Sequence, residues 1–203
     1  MDEQEVEANG PLSEGKSAFN SDKGLESKLA NLLHQSNGFH FYRGALLFFP
    51  SGTAMYGIPT IEEFNAAAWK ASYGPEVSTA LFFAVDTLGY PFGIANERIV
   101  QLDPETGEMN EIADDFLGFF EAVHRDPDTL IGAGLFQAWV EAGRMIGANE
   151  RLAPNLPFIT AKASAIDDFH AEDMLSRAAF NAYLFEQTSA LPKDARVAIK
   201  VVP

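Results

Sequence analysis

Along the chain, apolar positions follow first a helical and then a strand period. Leu25, Leu29, Leu32 and Leu33 recur at helical spacing, and Asn37-Gly38 stops the run because glycine tolerates a left-handed cap, so the pattern predicts a helix over about 23–36. Residues 39–49 are aromatic and branched, end at Pro50-Ser51-Gly52, and predict a strand. Thr60-Ile61-Glu62-Glu63 fits a capping box, and Ile61, Phe64, Ala68 and Ala71 share the face of a helix that ends near Tyr73-Gly74-Pro75. The period then changes: 79–85, 90–95, 98–102 and 108–112 are short β-type runs. Past them, Phe116, Phe119, Phe120 and Val123 mark a helix that Asp114 or Asp115 can cap. Ile131, Leu135, Ala138, Trp139, Ala142, Met145 and Ile146 mark a longer one ending in the region 147–150. Residues 156–159 read as extended. A last helix aligns Ala171, Met174, Leu175, Ala178, Ala182 and Phe185, and 197–201 closes the chain as a strand.

The four central runs are separated by Asp86-Thr87-Leu88-Gly89, Asn96-Glu97 and Asp103-Pro104-Glu105-Thr106-Gly107. Links this short require antiparallel neighbours, because a parallel pair needs a long crossover. The expected class is therefore α+β, a central, mainly antiparallel sheet flanked by helices. Residues 1–20, rich in Glu, Gly and Ser without periodic apolar positions, read as a flexible acidic leader, and 21–203 as a single domain. With 203 residues, 47% of them hydrophobic and 17 of them Phe, the chain can fill a substantial core.

Charge narrows the partners. Fourteen Lys and Arg against 29 Asp and Glu leave a formal charge of −15, which repels nucleic acid and anionic lipid and suits a basic protein. The apolar runs are far shorter than the roughly 20 residues that cross a bilayer, and the acidic N-terminus is unlike a secretory signal, so a cytoplasmic location is expected. The chain has no Cys, so disulfides, thiolate nucleophiles and cysteine metal ligands are all excluded.

Candidate chemistry is sparse. Asp167-Asp168-Phe169-His170-Ala171-Glu172-Asp173 could in principle hold a divalent metal, but acidic groups opening a helix are explained by capping of its free N–H donors, so no metal is expected there. The 103–108 turn lacks the ligand spacing of a calcium loop. Gly132-Ala133-Gly134 lacks a leading strand and the third glycine of a dinucleotide site, and reads as small residues for close helix packing. None of His34, His40, His124 and His170 has a sequence-local Ser, Cys or second His. No cofactor is expected.

The run Phe82-Phe83-Ala84-Val85-Asp86-Thr87-Leu88-Gly89-Tyr90-Pro91-Phe92-Gly93, then Ile99-Val100-Gln101-Leu102-Asp103-Pro104-Glu105-Thr106-Gly107-Glu108 and the helix start at Ala113-Asp114-Asp115-Phe116, resembles the SUKH superfamily, which takes in fungal cell-wall-synthesis regulators and many bacterial toxin-immunity proteins. The tail Leu191-Pro192-Lys193-Asp194 is similar to a Leu-Pro-Asp-Gly turn of some bacterial members, with Lys-Asp in place of Asp-Gly. The resemblance implies a helix-flanked antiparallel sheet, no enzymatic activity, and binding of another protein, in immunity members a toxin. From the residues themselves, turns on a rigid sheet are the places that display side chains, so Asp86, Tyr90, Asn96, Asp103 and Glu105 are the expected partner-binding residues. The alternative is an enzyme, a hydrolase or a metal-dependent one, whose site is assembled from distant groups: Asp86, Asp103, His40 or the 167–173 cluster.

Overall fold

The computed structural model describes residues 12, 13, 16–53, 55–160, 163 and 165–192. Its core is a six-stranded antiparallel sheet in which every strand pairs with the next in sequence: β1 (Phe39–Phe41), β2 (Leu46–Phe48), β3 (Leu81–Val85), β4 (Pro91–Ala95), β5 (Arg98–Leu102) and β6 (Met109–Ala113). The four central runs form the expected meander, with a shift of register at Phe82–Ala84 in β3 and at Ile99–Val100 in β5. Asn96 and Glu97, φ 50° and 57°, close the β4–β5 hairpin between the paired Ala95 and Arg98, the left-handed pair that matches strand twist. The α+β architecture follows.

Both faces of the sheet are covered, because neighbouring side chains on a strand point to opposite sides. Phe83 and Phe48 meet Phe119 of α4 (Phe116–Arg125) at centroid distances of 6.0 and 6.2 Å. Phe82 lies 5.5 Å from Trp69, which in turn packs on Phe64. Helix α1 (Gly24–Gln35) buries Leu25, Leu29 and Leu33 and packs against α4. Helix α2 (Ile61–Ala66) starts from the expected capping box: Thr60 accepts from the Glu63 amide at 3.1 Å, and the Glu63 carboxylate accepts from the Thr60 amide at 2.8 Å.

Several elements differ from the sequence expectation. The single strand over 39–49 is a hairpin, folded at a short 3-10 turn, Tyr42–Gly44. Gly44, φ 117°, is required there, since a Cβ would stand 2.7 Å from the Phe136 ring. The helix expected to run on to Tyr73 gives way at Ala67 to a 3-10 segment, Ala68–Tyr73, and a further short helix, α3 (Pro75–Thr79), occupies the start of the strand expected from residue 79. The long helix through Met145 is two, α5 (Pro127–Ile131) and α6 (Ala133–Glu141), divided where Gly132 turns left-handed at φ 65°, and Met145 is 86% exposed. Gly132 therefore breaks a helix rather than easing helix packing.

The extended segment expected at 156–159 lies instead at β7 (Glu150–Pro154), which pairs with β8 (Phe169–Asp173) in a separate two-stranded ribbon. Helix α7 (Met174–Thr188) begins only after the acidic cluster. The cluster is mainly strand because β7 offers it a partner, with Arg151 opposite Glu172. Within the expected leader, Leu12, Ser13 and Ser17 are buried, and Leu12 bridges Gly38 and Met55 through backbone bonds of 3.1 Å. The expected strand at 197–201 lies outside the described residues. Among those described, no helix is long and apolar enough to cross a membrane.

Candidate functional site

The β3–β4 and β5–β6 turns, where the sequence placed partner-binding carboxylates, face inward. Asp86, 5% exposed, accepts from the amides of Leu88 and Tyr90 through Oδ1, both at 2.8 Å, and from Gln101 Nε2 through Oδ2 at 3.2 Å. Burial pushes its carboxyl up to about 7, against the opposing pull of those amides and of Arg151. Glu105, 4% exposed, accepts from the amides of Phe158 and Ile159 at 3.0 and 2.8 Å. These two carboxylates are spent on the chain's own backbone. They are not the acidic rim expected of them, because each closes an Asx-type or loop contact that a surface charge would leave open.

Around them lies a polar knot that joins the sheet to the ribbon and to α7. Arg151 of β7 is 2% exposed and Arg177 of α7 is 3% exposed. Arg177 stands 3.9 Å from both Glu105 and Glu172, beyond hydrogen-bonding distance. Burial lowers the Arg151 guanidinium to about 10, with Asp86 acting the other way, and His40 falls to about 4 through burial and then the charge of Arg151. The Tyr73 and Tyr90 phenols are pushed up, chiefly by burial, and Tyr73 donates to the Pro104 carbonyl at 2.7 Å. Leu152 N donates to Thr87 O at 2.9 Å, so the ribbon is also pinned by backbone. Turns and ribbon are thus held together by hydrogen bonds to backbone amides and carbonyls, while both guanidiniums keep buried N–H groups, Nε and Nη2 of each, without a hydrogen-bond partner among the described residues.

Of the remaining sequence-predicted residues, Tyr90 and Asp103 are half-buried, Asp103 serving its own turn by accepting from Glu105 N and Thr106 N. Asn96 is the one of the five that is exposed. It lies at the rim of an open groove of about 590 Å³ that also carries Glu26, Glu76 and Glu97 and no Lys or Arg. Glu97 accepts from Leu25 N at 3.1 Å, which places the groove at the start of α1.

The residues of the enzymatic alternative have separate duties. In the acidic cluster, Asp173 caps α7 by accepting from Ser176 N, Asp168 accepts from Ala165 N, Asp167 pairs with Arg144, and His170 Nδ1 lies 3.0 Å from the side-chain oxygen Oδ1 of Asn155. Among the described residues, no group of three His, Asp or Glu is arranged to hold a metal ion. No protein-family model matches the chain, and no curated protein matches it.

Sequence reasoning missed Arg151, Arg177 and Asn181. For the last two a signal existed: Met174, Arg177, Asn181 and Leu184 are all buried on α7, so Arg and Asn stand on the inward stripe of an amphipathic helix. Arg151 carried no such mark, since its strand was not expected.

Proposed function

We propose that the chain is a non-catalytic protein-binding domain of the SUKH type, a toxin-immunity or regulatory protein acting in the cytoplasm on a basic protein partner. The observation that carries this reading is the acidic groove at the β4–β5 turn: Glu26, Glu76 and Glu97 around an exposed Asn96, with no cation in the lining, on a chain of formal charge −15. Such a surface draws a basic partner in over about a Debye length and opposes nucleic acid and anionic membrane. Placement of the ionisable groups supports binding over catalysis. Asp86 and Arg151, whose proton affinities burial perturbs, are walled in where a substrate does not reach them, and perturbed groups of that kind also belong to structural ion-pair networks. The resemblance of residues 82–108 to SUKH proteins gives the partner class.

The experiment is capture of the partner from the native cell with a tagged chain, identification of the co-purifying protein, and kinetics with that protein purified. Replacing Glu26 and Glu76 together by Gln is expected to slow association several-fold at low salt while dissociation changes little. Association unchanged in that double variant, or a partner that is acidic, refutes the reading.

A further inference from the structure

The β1–β2 turn is built from residues that such a turn does not favour. Tyr42 and Arg43 both take left-handed backbone, φ 48° and 56°, a conformation Asn or Gly enters at little cost and bulkier side chains adopt under strain. Together they form one wall of a cleft of about 360 Å³, at the small end of the range for small-molecule sites. The other side is Pro127 with α6, whose Phe136 lies beneath and whose Val140 is 52% exposed.

The two strained residues differ in what they gain. Tyr42 places its hydroxyl 3.1 Å from His124 Nδ1 and its ring edge-on to Phe41. Arg43 is exposed and makes no hydrogen bond or ion pair with any described residue. The acidic groups of the same lining are already engaged: Asp128 accepts from Gly134 N at 2.8 Å, and Glu141 from Gln137 Nε2 at 2.7 Å. The cleft lining therefore includes one uncommitted guanidinium together with the aromatic and aliphatic side chains of Tyr42, Phe136 and Val140. A carboxylate is the planar group that guanidinium binds in paired fashion, and the charges of Asp128 and Glu141 oppose a monoanion less than a phosphate dianion.

We propose that this cleft binds a monocarboxylate with an apolar, preferably aromatic, body, either a free aryl acid or the last residue of a chain, held by Arg43 through its carboxylate and by the apolar lining through its body. The ligand is independent of the basic partner proposed for the acidic groove. The test is NMR titration of the isotopically labelled chain with 3-phenylpropionate and with N-acetyl-glycyl-glycyl-phenylalanine, each against its primary amide. Shifts confined to residues 42–44 and 133–141, with acid bound about tenfold more tightly than amide, are expected, since a hydrogen bond to a charged group is worth about that factor. Whichever acid binds more tightly identifies the source. Arg43→Gln is expected to erase the preference for acid. Arg43→Gly is expected to erase it while raising the melting temperature, because glycine relieves the left-handed strain; a purely structural arginine would not exchange stability for affinity. Equal binding of acid and amide, shifts centred elsewhere, absence of shifts up to tens of millimolar, or an Arg43→Gly chain that keeps the preference, each overturns the proposal.

Discussion

Asp86 makes the stability of this protein depend on pH in the direction opposite to that of an ordinary paired carboxylate. Its folded value of about 7 lies above the usual 3.8 because desolvation outweighs the amides of Leu88 and Tyr90 and the charge of Arg151. Between those two values the folded state holds a proton that the unfolded chain has released, so folding is favoured at low pH and loses stability as pH rises from about 4 to about 7. At about 1.4 kcal/mol for each tenfold change in proton affinity, the range corresponds to about 4 kcal/mol. Asp86→Asn is the perturbation of choice. Its carbonyl oxygen still accepts from Leu88 and Tyr90, and it resembles the protonated acid. Urea unfolding of both proteins should give similar stability near pH 3, below the unfolded value of 3.8, and at pH 8 the wild type should have lost up to about 4 kcal/mol relative to the variant. Taking the difference between the two chains cancels the titrating groups that do not interact with Asp86, and Arg151, which does, stays charged through this pH range in the wild type. A wild type that gains on the variant as pH rises would show that Arg151 and the amides hold Asp86 ionised, and the reasoning from burial would fail.

Two further outcomes test the packing. Glu105→Ala leaves the Phe158 and Ile159 amides without their acceptor and removes the nearest counter-charges of Arg177 down to Glu172 alone, and should cost about 3 kcal/mol in chemical denaturation; a loss below about 1 kcal/mol would mean that water replaces the carboxylate freely. Thr60→Ala opens one side of the α2 capping box and should cost about 1 kcal/mol, with Glu63→Ala not adding its full separate effect in the double variant, because the two bonds close one motif.

The meander was legible because its turns carry Asp, Asn, Gly and Pro at the positions where chain reversal needs them, and because β3 and β4 are apolar enough to be buried on both faces. The β1–β2 hairpin was not, since its turn is Tyr-Arg-Gly inside an aromatic run and only Gly44 has turn chemistry. The β7–β8 ribbon was hidden for a different reason. A strand that carries His170, Glu172 and Asp173 looks like a helix start until its partner, 15 to 23 positions back in sequence, supplies Arg151 opposite Glu172. The inward direction of Asp86 and Glu105 was likewise unreadable, because a turn carboxylate is equally suited to face water or an amide: Asp86 meets the amides of its own turn, and Glu105 meets those of the distant Phe158 and Ile159. Asn96 was legible as a displayed residue because a two-residue hairpin turn has no interior to enter.

The sheet in which each strand pairs only with its sequence neighbour bears on how the chain reaches its fold. No ladder in the six-stranded sheet has to wait for a segment made much later, and the widest gap between partners is the one from β2 to β3. Loop-closure entropy is therefore small at each step of the meander, and the order of assembly can follow the order of synthesis. The ribbon and α7 dock on a surface that is already formed by then, through Thr87, Glu105 and Tyr73. A chain emerging from the ribosome would thus complete its sheet while the segment that locks the turns of that sheet is still being made.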